Sequence, residues 1–288
     1  VFSGAPRTYL LLLNVYNSAA NAGYTLHWGA TPIATTSASA IWSGVSDTLY
    51  TTTTNWGTCG STPSCAIDAT INNTPNQPTI VAGLPAKSVR NLTINAGARL
   101  RIKAGATLSV CGNFANFGTL ICEAGSTIQF IGTGLQTIIG TLTGANSFAN
   151  LIINKPSGSV QLLTNIDVAE NFTVANGTSV FNISGRYMKV AGNFTNFNGT
   201  ATFTGIGSST VEFNGTINQN FINTNGSILL NRVKMNKTSG KLYLTGANST
   251  MNIDSILTLT TGIIVTRSIP SLEVNMKYYL PASLLGPP

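Results

Sequence analysis

Residues 90–110 read R-N-L-T-I-N-A-G-A-R-L-R-I-K-A-G-A-T-L-S-V. Leu92, Ile94, Leu100, Ile102, Leu108 and Val110 alternate with polar or small residues, and each short run ends at an Ala-Gly-Ala corner, residues 96–98 and 104–106. A period of two sends every second side chain to one face, and glycine turns the chain at little steric cost. Strands of three or four residues cannot bury a core alone. They must stack on copies of themselves, which is the logic of a β-solenoid.

Outward from that stretch the pattern continues with a longer period. G-N-F-A-N-F at 112–117 recurs as G-N-F-T-N-F at 192–197, and S-T-I-Q-F-I-G-T at 126–133 as S-T-V-E-F-N-G-T at 209–216. N-K-P-S-G at 154–158 returns as N-K-T-S-G at 236–240, and Ile166-Asp167 as Ile253-Asp254. The offsets of 80, 83, 82 and 87 define a block of about 82 residues. One coil takes roughly 20–30 residues, so a block should hold three or four coils. With strands about 4.8 Å apart, residues 91–280 predict a rod on the order of 35–45 Å long.

Composition agrees with an all-β chain. Only 8% of the 288 residues are charged and 43% are hydrophobic, which excludes the low-hydrophobicity, high-charge class of disordered chains. The net charge of +7 comes from scarce acids. Arg99, Arg101 and Lys103 alternate onto one face as a small basic stripe, read as a solvated outer surface; no aromatic interleaves with it, against nucleic-acid stacking. No apolar run is long enough to span a bilayer, and Val1-Phe2-Ser3-Gly4 does not open a signal peptide. The abrupt start suggests a processed or truncated piece of a longer chain.

Residues 1–40 read as the closing strands of a truncated β-sandwich-like domain plus a linker, with His27 a structural or surface residue. Residues 41–90 read as an N-terminal cap in which Trp42 and Trp56 cover the open end of the core; stacking on sugars is the alternative for the two rings. The β-helix proper occupies 91–288. Cys59 and Cys65 flank G-S-T-P-S, a spacing a local disulfide can close, and this pair implies an oxidising compartment. Cys111–Cys122 is the weaker pairing, with free buried thiols as its alternative. No pair has metal-knuckle spacing, so neither metal nor cofactor is expected.

The segments W-S-G-x-x-S-D-T…T-N-W, N-Q-P-T-I, N-L-T-I-N-A-G-A-x-L-x-I-x-A-G-A-T-L-S-V-x-G-N-F and S-T-V-E-F-N-G-T, over residues 41 to about 265, resemble solenoid segments of large secreted surface proteins of Bacteroidota. The resemblance implies a right-handed parallel β-helix, alternation with sandwich modules, cell-surface display and type IX export, although the C-terminal sorting domain of those proteins is lacking. It departs after Arg267. It also implies O-glycosylation at D-S/T-aliphatic triplets, which Asp47-Thr48-Leu49 and Asp254-Ser255-Ile256 match, making Thr48 and Ser255 the candidates. The N-x-S/T triplets at Asn91, Asn171, Asn193, Asn214 and Asn236 follow from an Asn- and Thr-rich composition.

Two function classes remain. The first is a structural or adhesive segment, with neighbouring domains of the same chain and cell-surface glycans or surface proteins as partners. The second is a carbohydrate-active β-helix, a lyase, hydrolase or binding module. The acids weigh against catalysis: Asp167 and Glu170 are the only two close in sequence, and a glycosidase needs two carboxylates about 5–10 Å apart. Asp167 recurs as Asp254, which marks a corner position. An ice-binding face ranks third, because Thr202-Phe203-Thr204 and Thr258-Leu259-Thr260 do not recur at coil spacing.

Overall fold

A computed structural model describes residues 39–57, 61–83, 87–175, 179–197, 203–204, 207–224, 227–245, 250–266 and 274–276, all within the compact unit 37–288. The expected sandwich strands and His27, the residues after Arg267 other than 274–276, and Cys59 lie outside the described residues.

The described chain is a parallel β-solenoid of about eight turns. Each coil has three edges. In one coil Leu92–Ile94 forms the first edge, Arg99–Ile102 the second and Thr107–Val110 the third; the next coil repeats this with Phe114–Asn116, Thr119–Cys122 and Thr127–Phe130. Each strand pairs in parallel with its equivalent, so Leu92 sits on Phe114, Leu100 on Leu120 and Leu108 on Ile128. Corner glycines make the turns: Gly97 and Gly105 adopt φ of +78° and +70°, where a Cβ is strained. The final coils run as the long strands Ser227–Thr245 and Thr250–Thr266, whose pairing shifts register at the corners, between Leu230 and Arg232 and between Met235 and Lys241.

The inward side chains form one core. Leu92, Ile94, Leu100, Ile102, Leu108, Val110, Ile128, Phe130, Val211 and Phe213 are all buried in it, which fixes the register read from the alternation. At its N-terminal end Ser39–Trp42 stacks in parallel on Asp68–Ile71, and Trp56–Gly57 returns antiparallel. Trp42, Tyr50 and Trp56 pack edge-to-face there, with Trp56 5.0 Å from each of the other two between ring centroids. The rings are buried and close the core. They offer no sugar platform.

The 82-residue block holds eleven edges, one short of four coils. Phe114 lies on the first face and its counterpart Phe194 on the third; Phe130 lies on the third and Phe213 on the second. Asn154–Gly158 turns from third face to first, whereas Asn236–Gly240 turns from second to third. Every repeated motif therefore falls back by one face.

The disulfide corrects the expected pairing. Cys65 joins Cys111, with Cα atoms 5.3 Å apart, in place of Cys59–Cys65 and Cys111–Cys122. The physical reason is stacking: Cys111 follows the third-face strand Thr107–Val110 at a corner whose backbone bonds to the coil below, Cys111 N–H to Val89 O, and Arg90 N–H to Ile67 O further down. Cys65 reaches that corner from 46 residues away. A crosslink over that separation is worth about 4 kcal/mol in the chain-entropy model. Cys122 is a free thiol, and burial pushes its pKa up to about 11.

Candidate functional site

Charge is sorted by face. Asp68 is the one charged side chain pointing outward from the described first-face strands between Asp68–Ile71 and Val180–Asn182. The second face carries Arg99 and Arg101, then a ladder in which Asp167, Lys189, Glu212 and Lys234 are successive register partners. Alternating signs at strand spacing stabilise the stack, whereas like charges directly opposite would oppose it.

The ladder has a buried centre. Glu212 is 3% exposed, and Tyr187 donates its hydroxyl to Oε2 while Asn236 Nδ2 donates to Oε1 at 2.8 Å. Lys234 Nζ lies 3.4 Å from the same carboxylate. Burial works to raise the Glu212 pKa, but the hydrogen bonds from Tyr187 and Asn236 and the Lys234 charge outweigh it, so it lies below the usual carboxylate range. Burial first, and the adjacent carboxylate second, push Tyr187 up. The two shifts favour an ionised Glu212 beside a protonated Tyr187. Beside it a cavity of about 230 Å³ is lined by residues including Ser147, Asp167, Lys189 and Asn214. It lies where the second face is interrupted by the 3-10 turn Gly144–Asn146.

The two acids close in sequence make separate ties, Asp167 from within the strand Ile166–Val168 and Glu170 from the turn after it. Asp167 Oδ2 accepts from Gly144 N–H at 2.8 Å, and Oδ1 is 4.0 Å from Lys189 Nζ. Glu170 accepts from Gly125 N–H at 2.9 Å and from Asn150 Nδ2 at 2.7 Å. Each carboxylate ties one coil to another. Asp47 binds its own loop through Leu49 N–H and the side chains of Thr52 and Asn55; the first of these bonds leads in holding its pKa down. Asp68 takes Arg90 Nε at 2.6 Å, which leads the lowering of its pKa, and the backbone and side chain of Asn91. Glu123 lies 2.9 Å from Lys103 and 3.3 Å from Arg101, so two members of the basic stripe are paired. Asp254 is exposed at a corner, and Glu273 lies outside the described residues.

The asparagines are structural in the same way. Asn91 Oδ1 accepts from Asn113 N–H, Asn171 Oδ1 from Asn193 N–H, and Asn193 Oδ1 from Asn220 N–H, each at 2.7–2.9 Å. These ladders satisfy backbone donors that a corner removes from the sheets. Of the glycosylation candidates, Thr48 is exposed and Ser255 half-buried.

One constellation escaped the sequence reading. Lys155 is buried and donates from Nζ to Gly132 O at 2.6 Å and to Gln136 Oε1. Gln136 in turn donates to Val110 O and Gly112 O at 3.0 and 2.6 Å. Lys237, Gln219, Gly215, Val190 and Gly192 rebuild the same staple one block later. Its signal was in the repeats themselves: G-N-F, then G-T-x-x-Q, then N-K-x-S-G, each about one coil apart. Burial pushes the Lys155 ammonium down to about 8 and Lys237 in the same direction.

Among the described residues no group of three or more His, Cys, Asp or Glu side chains is placed to hold a metal ion, and no helix is long and apolar enough to cross a membrane. No protein-family model, curated protein or solved structure matches the chain.

Proposed function

We propose that this chain is a structural and adhesive segment of an extracellular surface protein, of the kind secreted by Bacteroidota through the type IX system, its solenoid serving as a stiff spacer that also presents a binding surface. The observation that carries this reading is the use of the acids. Asp47, Asp68, Glu123, Asp167, Glu170 and Glu212 are each held by backbone, amide or cationic groups of the chain itself. General acid–base chemistry needs a group free to exchange a proton with a substrate, and these carboxylates are spent on cohesion. The Cys65–Cys111 disulfide supports an oxidising location. Neighbouring domains of a longer chain are the natural partners of a spacer.

An activity screen tests the reading against its enzymatic rival. The purified protein should release no product from pectin, alginate or glucan, with or without calcium. Turnover abolished by Asp167→Asn or Glu170→Gln would replace the spacer with an enzyme.

Intact-mass analysis of native material under non-reducing conditions tests the setting. Peptide mapping should show Cys65 linked to Cys111, and any added hexose should map to Thr48 or Ser255. Reduced Cys65 and Cys111 in freshly secreted protein would remove the extracellular inference. Protein without hexose would remove the glycosylation proposal alone.

A further inference from the structure

The third face differs from the second in having no outward charge on any described strand from Lys87–Val89 to Gln219–Asn223; Lys87 itself is only 5% exposed. Its outward side chains are Ser, Thr, Asn, Gln and Ile. In a chain of net charge +7 these strands are a segregated surface, because the charged ladder of Asp167, Lys189, Glu212 and Lys234 lies one face away.

A shallow groove of about 310 Å³ crosses four coils of this face, lined by Asn150, Ile152, Asn171, Thr173, Asn193 and Phe197 among others. Three strand spacings make it about 14 Å long. Its amides are held in place: Asn150 is fully engaged by Ser126 O, Glu170 and Asn171. It fixes the Asn171 amide, whose Nδ2 donates to Asn150 Oδ1 at 3.0 Å and keeps a second hydrogen facing the groove with the hydroxyls of Thr127 and Thr173. Pre-ordered donors and acceptors lose little freedom when a ligand arrives. At the rim Phe197 is 53% exposed, a large apolar ring left in water beside polar groups.

We infer that this groove binds a neutral polysaccharide chain, with Phe197 as the platform for a sugar ring and the Thr and Asn rows meeting its hydroxyls. A sugar has an apolar ring face and a hydroxylated edge, and the groove pairs one aromatic face with uncharged donors and acceptors at a regular spacing. An acidic polymer would find no cation on these strands, and the carboxylate of Glu170 beside Asn150 would repel it. A protein segment would bring charged side chains that this strip cannot pair. The inference rests on the adhesive reading above and names its ligand class.

Affinity electrophoresis of the full chain through gels containing xyloglucan, laminarin, hydroxyethylcellulose or soluble starch tests it, with alginate as the acidic comparison. At least one neutral polymer should retard the protein, and retention should persist in high salt, which screens exposed charges. Phe197→Ala and Thr173→Arg should each weaken that retention at least tenfold, while Thr93→Arg on the first face leaves it unchanged. Circular dichroism establishes that each variant is folded. No retardation by any neutral polymer, equal loss in Thr93→Arg, or retention only by alginate and only at low salt would overturn the inference. Self-association lost in Thr173→Arg would assign the groove to a second copy, and also overturn it. Release of sugar fragments from a retained polymer would sink the spacer reading and leave the groove standing.

Discussion

Ile102→Asp is expected to cost about 4 kcal/mol or more and to open the coils around residues 79–122. Ile102 is fully buried, with Ile80 below it and Cys122 above it as register partners. Removing the isoleucine side chain alone costs about 2–5 kcal/mol when the surroundings cannot collapse. The carboxyl adds a polar group with nothing to bond to in an apolar column, or takes up a proton to escape ionisation. A solenoid's coils are held by their neighbours, so the damage spreads to the coils on either side before it reaches the far end. Urea denaturation with hydrogen exchange resolves both the size and the spread. Arg99→Asp, three residues earlier on the same strand and exposed, is the matched control and should change stability by no more than about 0.5 kcal/mol. Similar losses in the two variants would show that the inward register is wrong.

Lys155→Met should cost about 3 kcal/mol. Methionine fills a similar volume, so the loss comes from hydrogen bonding. Gly132 O loses its donor while Gln136 Oε1 keeps only Gly132 N–H, and a buried acceptor left unsatisfied costs about 1–3 kcal/mol. Lys237→Met should behave alike, because Gly215 O, Ile217 O and Gln219 Oε1 receive the same ammonium. The pH dependence separates the amine from mere packing. With its pKa lowered from 10.5 to about 8, folded Lys155 releases its proton in a range where the unfolded chain keeps it. Ionising the buried amine therefore carries a penalty that is absent above 10.5, grows as pH falls and is complete below about 8, separate from the hydrogen bonds the side chain makes. Across that window wild-type stability should rise relative to Lys155→Met, as read from urea midpoints. An unchanged midpoint in the variant, or a flat difference with pH, would remove the staple from the account of stability.

The core was legible because alternation at period two is a local signal. Leu100 and Ile102 announce an inward pair whatever lies above them. The cysteines were not, since Cys59 and Cys65 are neighbours in sequence while the partner of Cys65 is a corner residue 46 positions away. Which corners coincide depends on the length of each coil, and coils here vary: register partners lie 20 residues apart at Leu108 and Ile128 but 27 apart at Phe194 and Phe221. The staple was half legible. Lys155 and Lys237 stood out as repeated, but a lysine within N-K-x-S-G reads as a solvated turn until Gln136 and Gln219 are seen beside it. Asp167, expected at a corner from its recurrence as Asp254, lies instead inside the strand Ile166–Val168 opposite Lys189, because the block shifts each motif by a face and only Asp254 falls at a corner. The buried Glu212–Tyr187 contact could not be read, because it joins residues 25 positions apart across a strand pair.

The eleven-edge block makes the sequence repeat a thread out of phase with the coil. Adding one block by duplication would advance the rod by about 18 Å and leave whatever follows aimed a third of a turn away from its former direction. Three added blocks would restore the original bearing. A chain that varies its length by whole blocks thus also steers the far end, and a chain lengthened by one block should present a label fused to its end at a different azimuth from one lengthened by three.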